Sequence, residues 1–189
     1  KNIPRLFINK ELKFDIKIIL EKNDKHYLKN VLRLDQDNVV HIFNGVHGEW
    51  QATVDLNSSY SLICRKQIRK QIKEHGPKLY FAIIKNHNLR WMVEKVTELG
   101  VEEIIPIVTE RTNNRNFNEK KALLHIKEAS EVTERLTLPK LQKKNTLLNI
   151  LEQTRKNSDT LFFCNEVRGD DFLQNNLINI SRKKVSFLI

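Results

Sequence analysis

The sequence predicts a two-part α/β protein, with a small β-barrel over residues 1–72 and an α/β domain over residues 78–189. Three observations carry that reading. Short apolar runs surround a hairpin signal at Asn44-Gly45 and Gly48 in the first part. The segment RKQIKEHGP, residues 69–77, is polar and ends on Gly76-Pro77, as linkers do. Beyond it, strand and helix patterns alternate, which argues a parallel sheet with helices packed on it.

The elements follow in order. DKHYLKNVLRL (24–34) reads as a short helix, with Asp24 as N-cap and Tyr27, Leu28, Val31 and Leu32 as its apolar stripe. VVHIFNGVHGEWQATV (39–54) is the hairpin, and YSLICRKQI (60–68) another strand. KLYFAII (78–84) is a continuous apolar run, as expected of a strand buried on both faces. A helix over about 88–99 presents Leu89, Met92, Val93, Val96 and Leu99, and Gly100 sits at its C′ position. VEEIIPIV (101–108) is the next strand, with Pro106 near its end. A long helix covers 118–136, opened by Asn118. Ala122, Ile126, Ala129, Thr133 and Leu136 share one face, while Lys127, Glu131 and Arg135 pair at i,i+4 on another. A helix (146–156), a strand (160–164), a helical stretch (170–177) and a strand (185–189) complete the pattern. An apolar strand as the last segment leaves the sheet unfinished, so the expectation is a longer parent protein.

Charge supplies the first functional clue. Thirty-three Lys+Arg against 23 Asp+Glu give a net charge of +10, with a pI near 9.6. An excess of that size favours polyanionic partners, because each neutralised phosphate releases condensed counterions. Charge for solubility in a lysine-rich proteome is the alternative, and charge alone does not separate RNA from DNA. No apolar run approaches the roughly 18 residues of a membrane span. The N-terminus lacks the layout of a secretory signal. Cys64 and Cys164 lie far apart and outside any CxxC pair. These features point to a reducing, cytoplasmic compartment.

The familiar catalytic motifs are missing. Five glycines, at 45, 48, 76, 100 and 169, form neither GxGxxG nor a phosphate-binding loop. Six histidines show no HExxH or Cys/His spacing, so no metal is expected. What remains is cationic. Lys85 directly follows strand 78–84, and Arg111 closely follows strand 101–108. If those strands are parallel, both side chains leave at one sheet edge, where α/β proteins place functional groups. A solvated loop charge is the plain alternative for either residue alone. Asn165 and Glu166, at the end of strand 160–164, are candidates for a cofactor pocket or for a structural turn. Arg5, His26 and Arg33 flank apolar positions in the first part, and Arg135 either serves the site or pairs with Glu131.

These segments resemble one family. PRLFI, HYLKNVLRL (26–34) and VVHIFNGVHGEW (39–50) resemble the N-terminal part of the RsmE-type 16S ribosomal RNA uridine-N3 methyltransferases. Lys85, Trp91, EKVTELGV (94–101), Ile105-Pro106 and Glu110-Arg111-Thr112 resemble the opening of that family's catalytic domain. IKEASE (126–131), Glu134-Arg135 and Pro139 match its next helix. The resemblance implies a PUA-like β-barrel followed by a SPOUT methyltransferase domain whose C-terminal part ties a trefoil knot. It also implies S-adenosylmethionine as methyl donor, a homodimer with no metal, and 16S ribosomal RNA or the small ribosomal subunit as partner.

On that basis Arg111 and Lys85 are the expected catalytic residues. Arg5, His26, Arg33 and Arg135 are expected to bind RNA, and Asn165 and Glu166 the cofactor. Two departures stand out. Val132 replaces a usual glutamine, and the family's glycine-rich cofactor loop, due directly after Ile189, is absent, so the chain as it stands is not expected to be active. The rival from another class is a non-catalytic RNA-binding or ribosome-associated protein, and a DNA-binding reading ranks third.

Overall fold

The structure is a computed structural model and describes residues 3–57, 59–112, 117–157, 159–165, 180 and 185–189. The chain divides into two compact units. The first comprises residues 1–73 with 134–137, and the second 74–133 with 138–189.

The first unit is a five-stranded mixed sheet. Its strands are β1 (Arg5–Phe7), β2 (Lys17–Ile19), β3 (Val39–Phe43), β4 (Glu49–Asp55) and β5 (Ser61–Arg69), in the order β1-β3-β4-β5-β2. β1 and β3 run parallel and every other pair antiparallel. Alternation puts Leu6, Ile18, Val40, Ile42, Ala52, Val54 and Leu62 into one core, which Leu28 also enters. The β3–β4 hairpin turns where Asn44-Gly45 predicts it. The Asn44 side-chain oxygen accepts from the backbone N–H groups of Val46 (2.9 Å) and His47 (2.8 Å). Gly48 has a φ of +72°, and a Cβ there would stand 2.2 Å from the Arg69 carbonyl oxygen. Only glycine fits.

The predicted helix at 24–34 is two pieces: α1 (Lys22–His26) and a π-helical turn (Tyr27–Val31). Asp24 lies in the first turn of α1, whose N-cap is Glu21. The wide turn ends on Arg33 in the left-handed region, with a φ of 54°.

The second unit is a parallel sheet of six strands: β6 (Lys78–Ala82), β7 (Glu103–Val108), β8 (Lys140–Leu141), β9 (Asn145–Thr146), β10 (Thr160–Phe163) and β11 (Val185–Leu188). The order is β10-β11-β6-β7-β8, and β9 also pairs with β7. Three helices connect them: α2 (Asn86–Glu98), α3 (Glu119–Val132) and α4 (Leu147–Asn157). Leu79, Phe81, Leu89, Met92, Val93, Val101, Ile104 and Ile126 form the core under α2 and α3. Gly100, with a φ of +88°, ends α2. Gly100 N–H donates to the Thr97 carbonyl and Val101 N–H to the Val96 carbonyl (both 3.1 Å), so a left-handed cap satisfies the last turn. Asn118 caps α3, its side chain accepting from Lys121 N–H (3.0 Å). The expected helix at 170–177 lies outside the described residues.

α3 stops at Val132, four residues short of its expected end. Glu134 takes a φ of 59°, and residues 134–137 group with the first unit. The cause is a buried ion cluster. Glu49, 3% exposed, receives Arg5 on one carboxylate oxygen (2.5 Å) and Arg69 on the other (3.1 Å). Arg69 also donates to the Glu134 carbonyl (2.9 Å), and Arg5 to the Arg135 carbonyl (2.5 Å). Leu136 is fully buried. Arg135 therefore belongs to a loop that groups with the first unit, while on α3 Lys127 faces Glu131 at 3.9 Å.

Removing the carboxylate leaves two guanidinium groups without their shared partner. Glu49→Ala is expected to lower unfolding free energy by about 3–5 kcal/mol, the usual cost of breaking a buried pair. Urea denaturation checks this, and a loss below about 1 kcal/mol would make the cluster equivalent to a surface pair.

Candidate active site

Lys85 and Arg111 leave the sheet at one edge. β6 and β7 are parallel neighbours in register, Lys78 opposite Glu103 through Ala82 opposite Ile107. Ile83 N–H still donates to the Ile107 carbonyl (3.2 Å), so the ladder holds to within two residues of Lys85. Lys85 is then the N-cap of α2, its carbonyl accepting from Asn88 and Leu89 N–H (both 3.1 Å). Leu89, Met92 and Val93 seat that helix on the sheet. A strand before it and a packed helix after it fix the position of Lys85, while the side chain stays exposed.

Arg111 sits in a tight turn after β7. Thr112 is buried, and its hydroxyl accepts from Thr109 N–H (2.9 Å) and bonds the Thr109 hydroxyl (3.0 Å). Thr112 N–H donates back to the Thr109 carbonyl (3.1 Å). The two threonines lock the turn and leave the intervening Arg111 exposed. Glu110-Arg111-Thr112 is legible in the sequence as part of the resemblance, but the role of Thr109 and Thr112 is not, because side-chain to backbone closure is a matter of geometry.

The same edge carries more. β11 pairs with both β6 and β10, all parallel. Asn165, just past β10, and Ile189, just past β11, therefore emerge alongside Lys85 and Arg111. Ile189 N–H donates to the Tyr80 carbonyl (3.0 Å) and Cys164 N–H to the Leu188 carbonyl (2.9 Å), which pins both strand ends. An apolar groove of about 650 Å³ runs between α4 and β10, lined by Leu147, Leu151, Thr154, Leu161, Phe163 and Leu188, with Arg155 and Asp159 as its charged groups. Glu166 lies outside the described residues.

The remaining candidates lie in the first unit. Arg5 is enclosed: its side chain is 8% exposed and stacks 3.8 Å from the Phe43 ring centroid as well as binding Glu49. The expectation that Arg5 grips RNA is corrected, because every face of that guanidinium is engaged internally. Arg135 is half-buried in the loop 134–137. His26 and Arg33 are exposed, and His26 Nδ1 lies 2.8 Å from the Asn30 side-chain nitrogen. Val132 is 82% exposed. On α2 and α3, Glu94, His125 and Glu128 bring one potential ligand atom each within 4.8 Å of one another, a trio the sequence did not suggest. Arg90 faces Glu94 at 2.7 Å, and that carboxylate holds the guanidinium above its ordinary range. Burial pushes the Cys64 thiol up to about 11, so it stays protonated at neutral pH, whereas Cys164 is exposed at the edge.

A parallel α/β unit with cations along its carboxyl edge, preceded by a mixed half-barrel, is the arrangement of the SPOUT class of methyltransferases with a PUA-like domain. Comparisons with known proteins agree. A family model described as RNA methyltransferase domain matches residues 74–189, and one described as RNA methyltransferase PUA domain matches residues 20–60. Ribosomal RNA small subunit methyltransferase E of Rickettsia conorii is 32% identical over 180 residues, covering 94% of this chain and 71% of the relative. The protein of the same name from Buchnera aphidicola subsp. Schizaphis graminum is 27% identical over 174 residues, covering 86% of this chain and 70% of the relative. A crystal structure of ribosomal RNA small subunit methyltransferase E from Neisseria gonorrhoeae, bound to S-adenosyl methionine, superposes with a TM-score of 0.82 at 18% identity. It covers all of this chain and 79% of that one. The chain belongs to the RNA methyltransferase family, in its small-subunit ribosomal RNA methyltransferase E branch. That membership makes it an enzyme and sets aside the non-catalytic reading.

Thr112→Val keeps the volume of the turn and removes its hydroxyl, leaving Thr109 N–H without its acceptor. The expected cost is about 1–3 kcal/mol of stability, read from denaturant unfolding, and an unchanged midpoint would show that the threonine lock does not hold the Arg111 turn.

Proposed function

We propose that the intact protein transfers the methyl group of S-adenosylmethionine to N3 of a uridine in 16S ribosomal RNA, acting in the cytoplasm as a homodimer on the small ribosomal subunit or its RNA. The observation that carries this reading is the shared carboxyl edge of β6, β7, β10 and β11. It supports a site in which cations from two strands flank the place where a nucleobase and a donor meet.

The residues present fit such a donor. A groove of about 650 Å³ with apolar walls falls within the size of small-molecule sites. Its walls include Phe163 and Leu188, from the two strands whose ends carry Asn165 and Ile189. Asn165 would hold polar atoms of the cofactor, and Glu166 is a second candidate. When bound, S-adenosylmethionine supplies an electrophilic methyl group.

What the chain must add is position and charge. Uridine N3 carries a proton and is a poor nucleophile until that proton leaves to solvent water. Loss of the proton puts negative charge on the ring, and cations fixed before the reaction stabilise it without reorganisation. Arg111, on its locked turn, faces the base in this reading, and Lys85 reaches the same developing charge from the neighbouring strand. Holding N3 in line with the methyl carbon removes much of the entropic barrier. Arg135, His26 and Arg33 serve the RNA away from the reacting atoms.

Arg111→Ala in the intact protein is expected to slow methyl transfer about 10²–10³-fold, as for loss of one preorganised donor, with affinity for S-adenosylmethionine close to wild type. Single-turnover transfer and calorimetry measure the two quantities. A parallel loss of cofactor affinity would move Arg111 out of the base site.

A further inference from the structure

A cluster with no part in the site described above bridges α2 and α3. Glu94 on α2, with His125 and Glu128 on α3, each offer one ligand atom, and the three atoms lie within 4.8 Å of one another. His125 and Glu128 stand at i and i+3, so they share a face of one helix. Val93 and Ile126, each the chain neighbour of a member of the trio, are fully buried in the core beneath the two helices. Packing therefore fixes the backbone from which all three side chains reach. Sites built on packed helices hold their geometry better than sites on loops.

The donor set suits a cation of the zinc class. One imidazole nitrogen and two carboxylates make a mixed N/O set, which leaves a fourth tetrahedral position for water. His125 Nδ1 and a Glu128 carboxylate oxygen are 3.4 Å apart. That spacing is the edge of a tetrahedron whose bonds are about 2.1 Å long, as zinc bonds to nitrogen and oxygen are. The His125 side chain is 16% exposed, so the imidazole is held against the helices. Arg90, one turn before Glu94, donates from Nε to its carboxylate at 2.7 Å. Glu94 first, and Glu128 as well, hold that guanidinium above its ordinary range, so one cation already feels both acids. Arg90 is 63% exposed, and an exposed pair of this kind is weak enough for a divalent ion to displace.

We propose that Glu94, His125 and Glu128 form a binding site for a divalent transition-metal ion of the zinc class, which clips α2 to α3. HExxH and Cys/His spacings miss it because its ligands are split between two helices. The ion is structural and takes no part in methyl transfer, so the proposal stands apart from the functional reading above.

The test is equilibrium dialysis of the metal-stripped intact protein against Zn²⁺, without RNA or S-adenosylmethionine, with melting temperature followed in parallel. One ion per chain is expected, with a melting temperature that climbs with free zinc, since a ligand of the folded state alone stabilises it. His125→Ala and the isosteric Glu128→Gln should each weaken zinc binding by at least about tenfold, the lower bound for losing a group that merely supports a metal ligand. Glu128 is exposed, so Glu128→Gln decides the matter even if His125→Ala does not fold. Arg90→Ala should tighten binding about two- to fivefold by removing the competing cation, a gain that an ordinary surface histidine would not show. Co²⁺ in place of Zn²⁺ should give the visible absorption of a tetrahedral ion and lose it in Glu128→Gln. A wild type that takes up no zinc would overturn the proposal. So would binding that Glu128→Gln leaves unchanged, or an equal loss from His75→Ala, an exposed histidine outside the trio. Displacement of Zn²⁺ by an equal concentration of Mg²⁺ would mark a plain acidic cluster and overturn it too.

Discussion

The parallel, in-register pairing of β6 with β7 is the constraint on which the rest depends. A strand pair has only two relative directions. Parallel pairing is what brings Lys85 and Arg111 to the same rim, since each follows the carboxyl end of its own strand. Pairing of β11 with both β6 and β10 extends that rim to Asn165 and Ile189. The strands are apolar because both faces are covered, by α2 and α3 on the Phe81 side and by the cluster of Tyr80, Ile105, Ile107 and Ile150 on the other. Core packing therefore sets the register, and register sets the site.

The first unit shows how an ion cluster can decide chain path. Glu49 is nearly fully buried and would be costly alone, yet it holds two arginines whose remaining donors reach the carbonyls of Glu134 and Arg135. A segment far along the chain is thereby tied to the half-barrel, and α3 ends early because of it. This arrangement is better understood as specifying a loop than as adding stability, since buried pairs seldom outperform apolar packing.

Much of this was legible in the sequence, and the limits have physical reasons. Apolar runs such as LYFAII and EEIIPIV mark strands covered on both faces, and Gly100 and Asn118 mark helix ends because their chemistry is local. Lys85 and Arg111 could be picked from their positions after strands, but only if those strands were parallel, which no residue states. The end of α3 was misplaced because Thr133 and Leu136 keep the helical spacing while Glu134 leaves it, drawn by partners more than sixty residues away. Arg5 was misassigned for the same reason: Glu49 and Phe43 are distant in sequence and adjacent only in the sheet. The π-helical turn was read as ordinary helix, since its apolar spacing differs by one residue. Short strands such as β2 and β8 carry too few residues to show a period.

The central claim is that Lys85 and Arg111 act together on one developing charge. A double-mutant cycle on single-turnover methyl transfer, using Lys85→Ala, Arg111→Ala and the pair, tests it most directly. The account predicts a double variant less impaired than the product of the single losses, because each cation works on the same anion. Losses that simply multiply would mean two independent groups and would contradict a shared site at the β6–β7 edge.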